Sequence, residues 1–436
     1  MKLNHFHESK DFIILWLTQS FSSLGTSMTS YALILWSYRQ LGTASSIAFL
    51  AAFTLLPSIF FTFIAGTIAD RWDKKRIMAI GDSIAAVGTL TVLVLNLTGR
   101  LMPWHLYAVN FVLGCMNAFQ NPAANVVITL LTPQKHFARA NGMFALSGSI
   151  SSLITPMAAT VVFALGGLTP VLLIDLFTFA VAVCALLFVI RVPPIPNATQ
   201  HKEESFWQSC LFGVRYLLRN RVMLNLIFLF MWINLFAHIG TLGIAPAMVL
   251  ARTGNSETAL GAYNTAVGVG SLVGGILMTL LRPAKSRTKT LLWACLWACF
   301  LVDFPLALGR AIGVWAIGAF LGNIAMPILN ANLTACMRAK VPVELQGRVF
   351  SARDTLQLWT MPVGLFFGGI LADHVFEPLM ARPSQLQGML AHLVGTGHGS
   401  GMALQILLTV LVMIAITVAS LRDHRYRALD NDTQLM

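Results

Sequence analysis

The chain has 436 residues, of which 56% are hydrophobic and only 11% charged, with a formal net charge of +12. A water-soluble globular protein of this length has no use for so much apolar surface, so a soluble fold is excluded. The positive charge would suit nucleic acid, but its distribution along the chain argues for a membrane instead.

A bilayer-spanning helix takes about 20 apolar residues, so twelve spans would use about 240 and leave ample chain for short loops. Apolar windows of that kind occupy residues 12–37, 45–69, 77–97, 104–130, 142–165, 169–190, 222–250, 259–281, 289–309, 312–336, 350–373 and 402–421, here numbered spans 1 to 12. Before span 1, Met1–Asp11 is polar and mixed in charge. The first apolar stretch is too long for a cleaved signal peptide and lacks a small-residue cleavage site, so span 1 is expected to be retained.

With the N-terminus placed in the cytoplasm, 24 of the 29 Lys and Arg residues fall on the cytoplasmic side. Only Arg39, Arg100, Arg252, Arg310 and Arg382 fall on the other. This positive-inside bias predicts both termini in the cytoplasm and an even number of spans.

Between spans 2 and 3 stands Gly66-Thr-Ile-Ala-Asp-Arg-Trp-Asp-Lys-Lys-Arg76. Gly66 permits close helix approach, and Asp70 can accept from unpaired N–H groups at the start of a facing helix. Arg71, Lys74, Lys75 and Arg76 supply donors to carboxylates and lipid phosphates. The set reads as a cytoplasmic gate, or more simply as a topology anchor, although anchoring alone does not need Asp70.

The longest polar stretch begins at Val192-Pro-Pro-Ile-Pro and divides the spans six and six. The organisation read from it is an N-terminal bundle over residues 1–191, a cytoplasmic linker over 192–220 and a C-terminal bundle over 221–436. Within the linker, Phe206, Trp207, Cys210, Leu211, Val214, Leu217 and Leu218 recur at helical spacing. They fit an amphipathic helix on the membrane surface or an ordinary solvated helix.

The halves echo one another: Gly66 and Gly275, Pro133 and Pro342, and Arg139 and Arg348 are each 209 residues apart, and Pro156 and Pro362 are 206 apart. Such offsets support duplication. The second copy of the charged loop has Thr279 and Leu280 where the first has Asp70 and Arg71, so only the first half carries a complete gate motif.

Together with Asn121-Pro-Ala, Arg139-Ala-Asn-Gly142, Glu344-Leu-Gln-Gly-Arg-Val-Phe350, Met361-Pro-Val-Gly364 and Gly369-Ile-Leu-Ala-Asp373, the Gly66–Arg76 loop resembles the macrolide-efflux branch of the major facilitator superfamily over essentially the whole chain. The resemblance implies an all-α membrane protein of twelve transmembrane helices in two pseudo-symmetric six-helix bundles, working as an exporter in the cytoplasmic membrane. It also implies a gate in which Gly66, Asp70, Arg71 and Lys74–Arg76 meet the start of span 11 near Arg348 and Asp354. Two departures stand out. Leu113 occupies the place of the span 4 arginine of many proton-coupled members, and the span 5 antiporter pattern is reduced to Gly142, Ser151, Thr155-Pro156 and Ala159.

Carboxylates within spans are Asp82, Asp175, Asp303 and Asp373, with Asp354 at the cytoplasmic start of span 11. Burying one ionised costs about 2.5–3.5 kcal/mol on insertion scales, so each wants a partner or a task. Asp175 and Asp303 lie deepest with no cation in register, which makes them the proton-coupling candidates. Asp82 and Asp354 are expected to pair with Arg76, Arg348 or Arg353.

Polar stripes mark the faces expected to line a central cavity: Gln19, Ser22 or Ser23, Thr26 and Ser30 on span 1; Asn110, Asn117 and Asn121 on span 4; Asn234, His238 and Thr241 on span 7; Asn323 and Asn330 on span 10; Gln357 on span 11. With nearby aromatic and sulfur side chains they suit a bulky amphipathic molecule, although any of them, His238 above all, can equally serve as packing between helices.

The six cysteines lack CxxC spacing and the chain has no GxxxxGK[ST] loop, so neither a metal site, a cofactor nor ATP as energy source is expected. The expected function is proton-coupled export of amphipathic small molecules by a monomer in the lipid bilayer. No nucleic-acid partner and no catalysis are expected. Export of an endogenous metabolite such as a siderophore, or a transport-inactive sensor with the same fold, are the alternatives.

Overall fold

The computed structural model describes residues 4–132, 137–191, 215–280, 286–338, 349, 352–353 and 356–423. At 4–9, 62–71, 137–142, 334–338 and a few single positions only the backbone is described. Each of the twelve apolar windows is helical over nearly all of its described residues, and nine helices there are long and apolar enough to cross a bilayer. The protein is an all-α membrane protein.

The first six spans are α1 (Asn4–Leu41), α2 (Ala44–Arg71), α3 (Lys74–Leu97), α4 (Pro103–Leu131), α5 (Phe137–Gly166) and α6 (Leu168–Cys184), the last prolonged by a π turn at Ala185–Val189. Glycines in left-handed conformation at Gly42, Gly99 and Gly167 make the tight turns between spans 1 and 2, 3 and 4, and 5 and 6. The turn between α2 and α3 is capped instead: Asp73 accepts from Arg76 N at 2.9 Å.

Span 7 is broken into α7 (Arg221–Ile239) and α8 (Thr241–Arg252) at Gly240, and span 8 is α9 (Glu257–Leu280). Span 9 runs as α10 (Arg287–Ala298), a π turn at Cys299–Asp303 and α11 (Phe304–Leu308). Span 10 comprises α12 (Ile312–Asn323) and α13 (Ala325–Arg338). Span 11 contains α14 (Thr360–Leu371), a π turn at Ala372–Phe376 and α15 (Glu377–Ala381). After α16 (Gln385–Val394), span 12 is α17 (Ser400–Arg422). The π turns of spans 9 and 11 each precede a proline, Pro305 and Pro378, at the start of the next helical piece. A proline ring cannot follow a regular α turn without clashing with the carbonyl four residues back, and the widened turn removes that clash.

The chain forms two compact units, residues 1–40 with 53–203 and residues 41–52 with 204–436. Helix α2 therefore begins in the second unit and ends in the first. Within the first unit α3 packs on both α4 and α6. One end of that unit is closed by a core of Phe12, Leu15, Ile77, Met78, Val127 and Leu186.

In the second unit α9 packs on α12 and α13, and α7 on α14 and α17. Residues 215–219 are helical, with Leu217 fully buried against Met223, Ile227 and Val349, whereas 206–214 of the expected amphipathic helix lie outside the described residues. Large apolar side chains such as Phe60, Phe177 and Phe188 remain 68%, 70% and 82% exposed on the helices, which suits hydrocarbon and not water.

Small residues set the helix spacing in lipid, where apolar side chains gain nothing by leaving the solvent. Gly270 and Gly274, one turn apart on α9, bring its backbone so close that a Cβ would overlap Phe320 O and Ile324 O respectively. Gly274→Leu is expected to destabilise the second unit by about 1–3 kcal/mol through overpacking. The check is the thermal midpoint of detergent-solubilised protein, which should fall, whereas Gly275→Leu one residue on, where a Cβ meets nothing within 4 Å, should leave it in place.

Candidate functional site

Among the described residues, each unit holds one buried carboxylate whose partners are hydroxyls. In the first, Asp175 of α6 is 1% exposed. Its Oδ1 accepts from Thr26 Oγ1 of α1 at 3.3 Å and its Oδ2 from Thr89 Oγ1 of α3 at 3.1 Å. Thr29 faces the same carboxylate without reaching hydrogen-bonding geometry, and its hydroxyl is buried with no partner. Helix α1 can come this near because position 25 is glycine: a Cβ there would lie 3.1 Å from Asp175 Oδ1 and overlap Thr178 Oγ1.

In the second unit Asp303, in the π turn of span 9, accepts from the hydroxyl of Thr241, the first residue after the break in span 7. Tyr263 of α9 lies nearby and is 5% exposed. The break frees the Ile239 carbonyl, and α17 satisfies it: Gln405 Nε2 donates to Ile239 O at 2.8 Å and to Gly368 O at 2.9 Å. A buried glutamine thus ties the hinge of span 7 to spans 11 and 12. No Lys, Arg or His among the described residues bonds to Asp175 or Asp303.

A hydroxyl can donate to a carboxylate or accept from a carboxylic acid, so such a site accommodates either protonation state by rotating one O–H bond. The other two intramembrane acids lack this property. Asp82, expected to pair with the basic cluster through Arg76, Arg348 or Arg353, is held among the described residues by carboxamides: Gln120 Nε2 of α4 at 2.7 Å and Gln19 Nε2 of α1 at 3.3 Å. Arg76 is not its partner because it opens the same helix with an exposed side chain, whereas Asp82 lies more than one and a half turns further along and is 6% exposed. Asp373 of span 11 accepts from two backbone amides and a hydroxyl.

The remaining stripe residues divide by their surroundings. Gln19 is taken up by Asp82 and Thr26 by Asp175. His238 is buried, with Nδ1 bonded to Asn234 O at 2.7 Å, and Asn323 donates back to Ala319 O at 2.8 Å. Asn234 is half-buried. Ser23, Asn117, Asn121 and Asn330 are exposed, and Gln357 is buried with its Nε2 unpartnered.

Of the gate residues, Gly66, Asp70 and Arg71 close α2, but their side chains, and all of Arg348 and Asp354, lie outside the described residues. Lys74 is buried and Arg76 exposed, whereas Lys75 Nζ donates to Ile190 O at 2.9 Å and Leu187 O at 3.2 Å, capping the end of span 6. Residues that stripe reading misses are Gly25, Thr89, Gln120 and Gln405. The one advance signal among them is the isolated glutamine in the apolar run of span 12.

The sequence profile of the Major Facilitator Superfamily matches residues 15–365. The chain is similar to Macrolide efflux protein A of Streptococcus pyogenes, 22% identical over 84% of this chain and 90% of that one. It is also similar to the Multidrug efflux pump Tap of Mycolicibacterium fortuitum, 25% identical over 80% of this chain and 87% of that one. Among solved structures, a mutant of the nucleoside transporter NupG superposes with a TM-score of 0.68 at 14% identity, covering 96% of this chain and 99% of that one. A bacterial homologue of the human lysosomal transporter Spinster does so at 0.68 and 14%, covering 99% and 98%. At such identities the structural likeness speaks for the fold alone.

Proposed function

Because the chain belongs to the Major Facilitator Superfamily and is a multi-pass membrane transporter, we propose that it exports amphipathic small molecules of macrolide or multidrug type in exchange for protons. Both termini face the cytoplasm in this reading, and the six-helix halves alternate access to a site near the midplane. The exported class rests on the efflux relatives and on the exposed polar side chains Ser23, Asn117, Asn121 and Asn330, which at mid-span positions belong to a watered space and not to lipid.

One observation carries the proton: Asp175 is buried and, among the described residues, bonded only to hydroxyls and without a basic partner, so a proton can come and go without orphaning a hydrogen bond. Asp303 with Thr241 repeats the arrangement in the second unit. A proton entering down about 100 mV supplies about 2.3 kcal/mol, enough for a roughly fifty-fold gradient of a neutral substrate.

The test is the purified protein in vesicles, loaded in turn with a macrolide and a cationic dye, under an imposed pH gradient. Gradient-driven movement of either supports the proposal. No movement of any compound across a broad panel overturns it in favour of a sensor. Failure with the panel, combined with build-up of an endogenous metabolite in a deletion strain, points to a dedicated metabolite exporter.

A further inference from the structure

Span 11 carries Gly369-Ile-Leu-Ala-Asp373, which repeats the Gly-x-x-Ala-Asp spacing of Gly66-Thr-Ile-Ala-Asp70 at the end of span 2. The first four N–H groups of a helix have no partner within it and need one elsewhere. At the start of α2 that partner is Asp373: Oδ1 accepts from Ala44 N at 3.0 Å, and Oδ2 accepts from Ser45 N at 2.8 Å and from Ser45 Oγ.

The contact continues down both helices. Gly369 lets the backbones touch, since a Cβ there would lie 2.7 Å from Ser45 Cα and 3.0 Å from Ala48 Cβ. Phe366 stacks on Phe49 with ring centroids 5.2 Å apart and planes inclined by 20°. Positions 366, 369 and 373 thus present one face of span 11 to the first turns of α2. All of this lies inside the second unit, to which residues 41–52 belong although the rest of α2 belongs to the first.

We propose that Asp373 is an outer latch, a positioning residue that clasps the N-terminus of span 2 to span 11 while the external side is shut. The proposal rests on alternating access as the working cycle and on the topology with cytoplasmic termini, which puts the start of α2 outside. A negative carboxylate at a helix N-terminus satisfies the unpaired amides and the helix dipole together. All three partners act as donors, so the clasp is strong as made and opens only by losing all three bonds. Asp70 near the opposite end of the same helix supplies an acid where the outer end supplies amides, so on the gate reading of Asp70 this helix carries one clasp at each end.

The experiment uses the full chain carrying Ala52→Cys, a position 5% exposed within the clasped segment, reacted from outside with a membrane-impermeant maleimide and read above the six native cysteines. Adding Asp373→Asn is expected to speed labelling roughly tenfold, the loss of about one charge-assisted hydrogen bond. Adding Ser45→Ala, which removes one of the three bonds, should speed it by a smaller factor. Ala403→Cys, buried in span 12 and outside the bonds made by Asp373, should keep its rate in both backgrounds.

Unchanged labelling at position 52 in both variants, or an equal rise at position 403, overturns the latch. Where Asp373→Asn does not reach the membrane, Ser45→Ala decides by the same criterion. Because labelling reads conformation whether or not a macrolide is carried, failure of the latch is distinguishable from failure of the efflux reading.

Discussion

Asp175→Asn and Asp303→Asn are expected to uncouple export from the pH gradient while sparing substrate exchange. Asparagine matches the neutral acid in shape and can bond the same hydroxyls, so neither unit should lose its packing. What it cannot do is alternate. In a vesicle assay the wild-type protein should hold a gradient of substrate approaching fifty-fold per proton at about 100 mV, and the variant at the coupling site should let it fall to about one.

Counterflow of labelled against unlabelled substrate needs no net proton movement and should keep its wild-type rate to within a few-fold. The pH profile separates the two sites. Antiport takes its proton from the external side, so wild-type export should quicken as that side is acidified and the coupling variant should be flat. If one substitution flattens the profile and the other only lowers the rate, the first marks the proton site. If neither changes the pH dependence, coupling by these carboxylates is wrong.

The reach of the sequence is set by the kind of interaction. Spans, turns and the charged loop are legible because each is a local property: twenty apolar residues, a left-handed glycine, a run of Lys and Arg. The depth of Asp175 and Asp303 is legible for the same reason. Their partners are not. Thr26 stands in the stripe assigned to the cavity, yet it turns to Asp175. Only the close approach allowed by Gly25, a matter of two helices and not one, brings it there.

Charge alone draws Asp82 toward Arg76, whereas the amides that hold it come from helices more than thirty residues away in the chain. The π turns are hidden because π geometry has no composition of its own. Pro305 and Pro378 are the visible trace of two of them. The partners of Asp373 are not legible, because two of the three donors it serves are backbone amides that any residue supplies.

Asp70→Asn is expected to have the second large effect, and its size follows from the asymmetry of the duplication. The second copy of the motif has Thr279 in the place of Asp70, so no equivalent acid shares the role. On the gate reading, in which Asp70 faces the start of span 11, losing its charge removes about 1.5–3 kcal/mol of charge-assisted bonding, a shift of roughly ten- to more than a hundred-fold toward the state open to the cytoplasm. Turnover should fall by at least about tenfold, because a transporter held in one state must overcome that bias on every cycle. Arg71→Ala should do less, since Lys74 and Arg76 keep positive charge in the same turn.

The opposite clasp sharpens the expectation. Asp373→Asn should bias toward the state open to the outside, so the double variant should return the balance toward that of the wild type while exchanging faster between states. Distances between spin labels on the two sides of the membrane would report both changes. If Asp70→Asn leaves transport and the inward–outward balance untouched, the charged loop is a topology anchor and the gate must be sought elsewhere. If the two substitutions shift the balance the same way, α2 does not carry a clasp at each end.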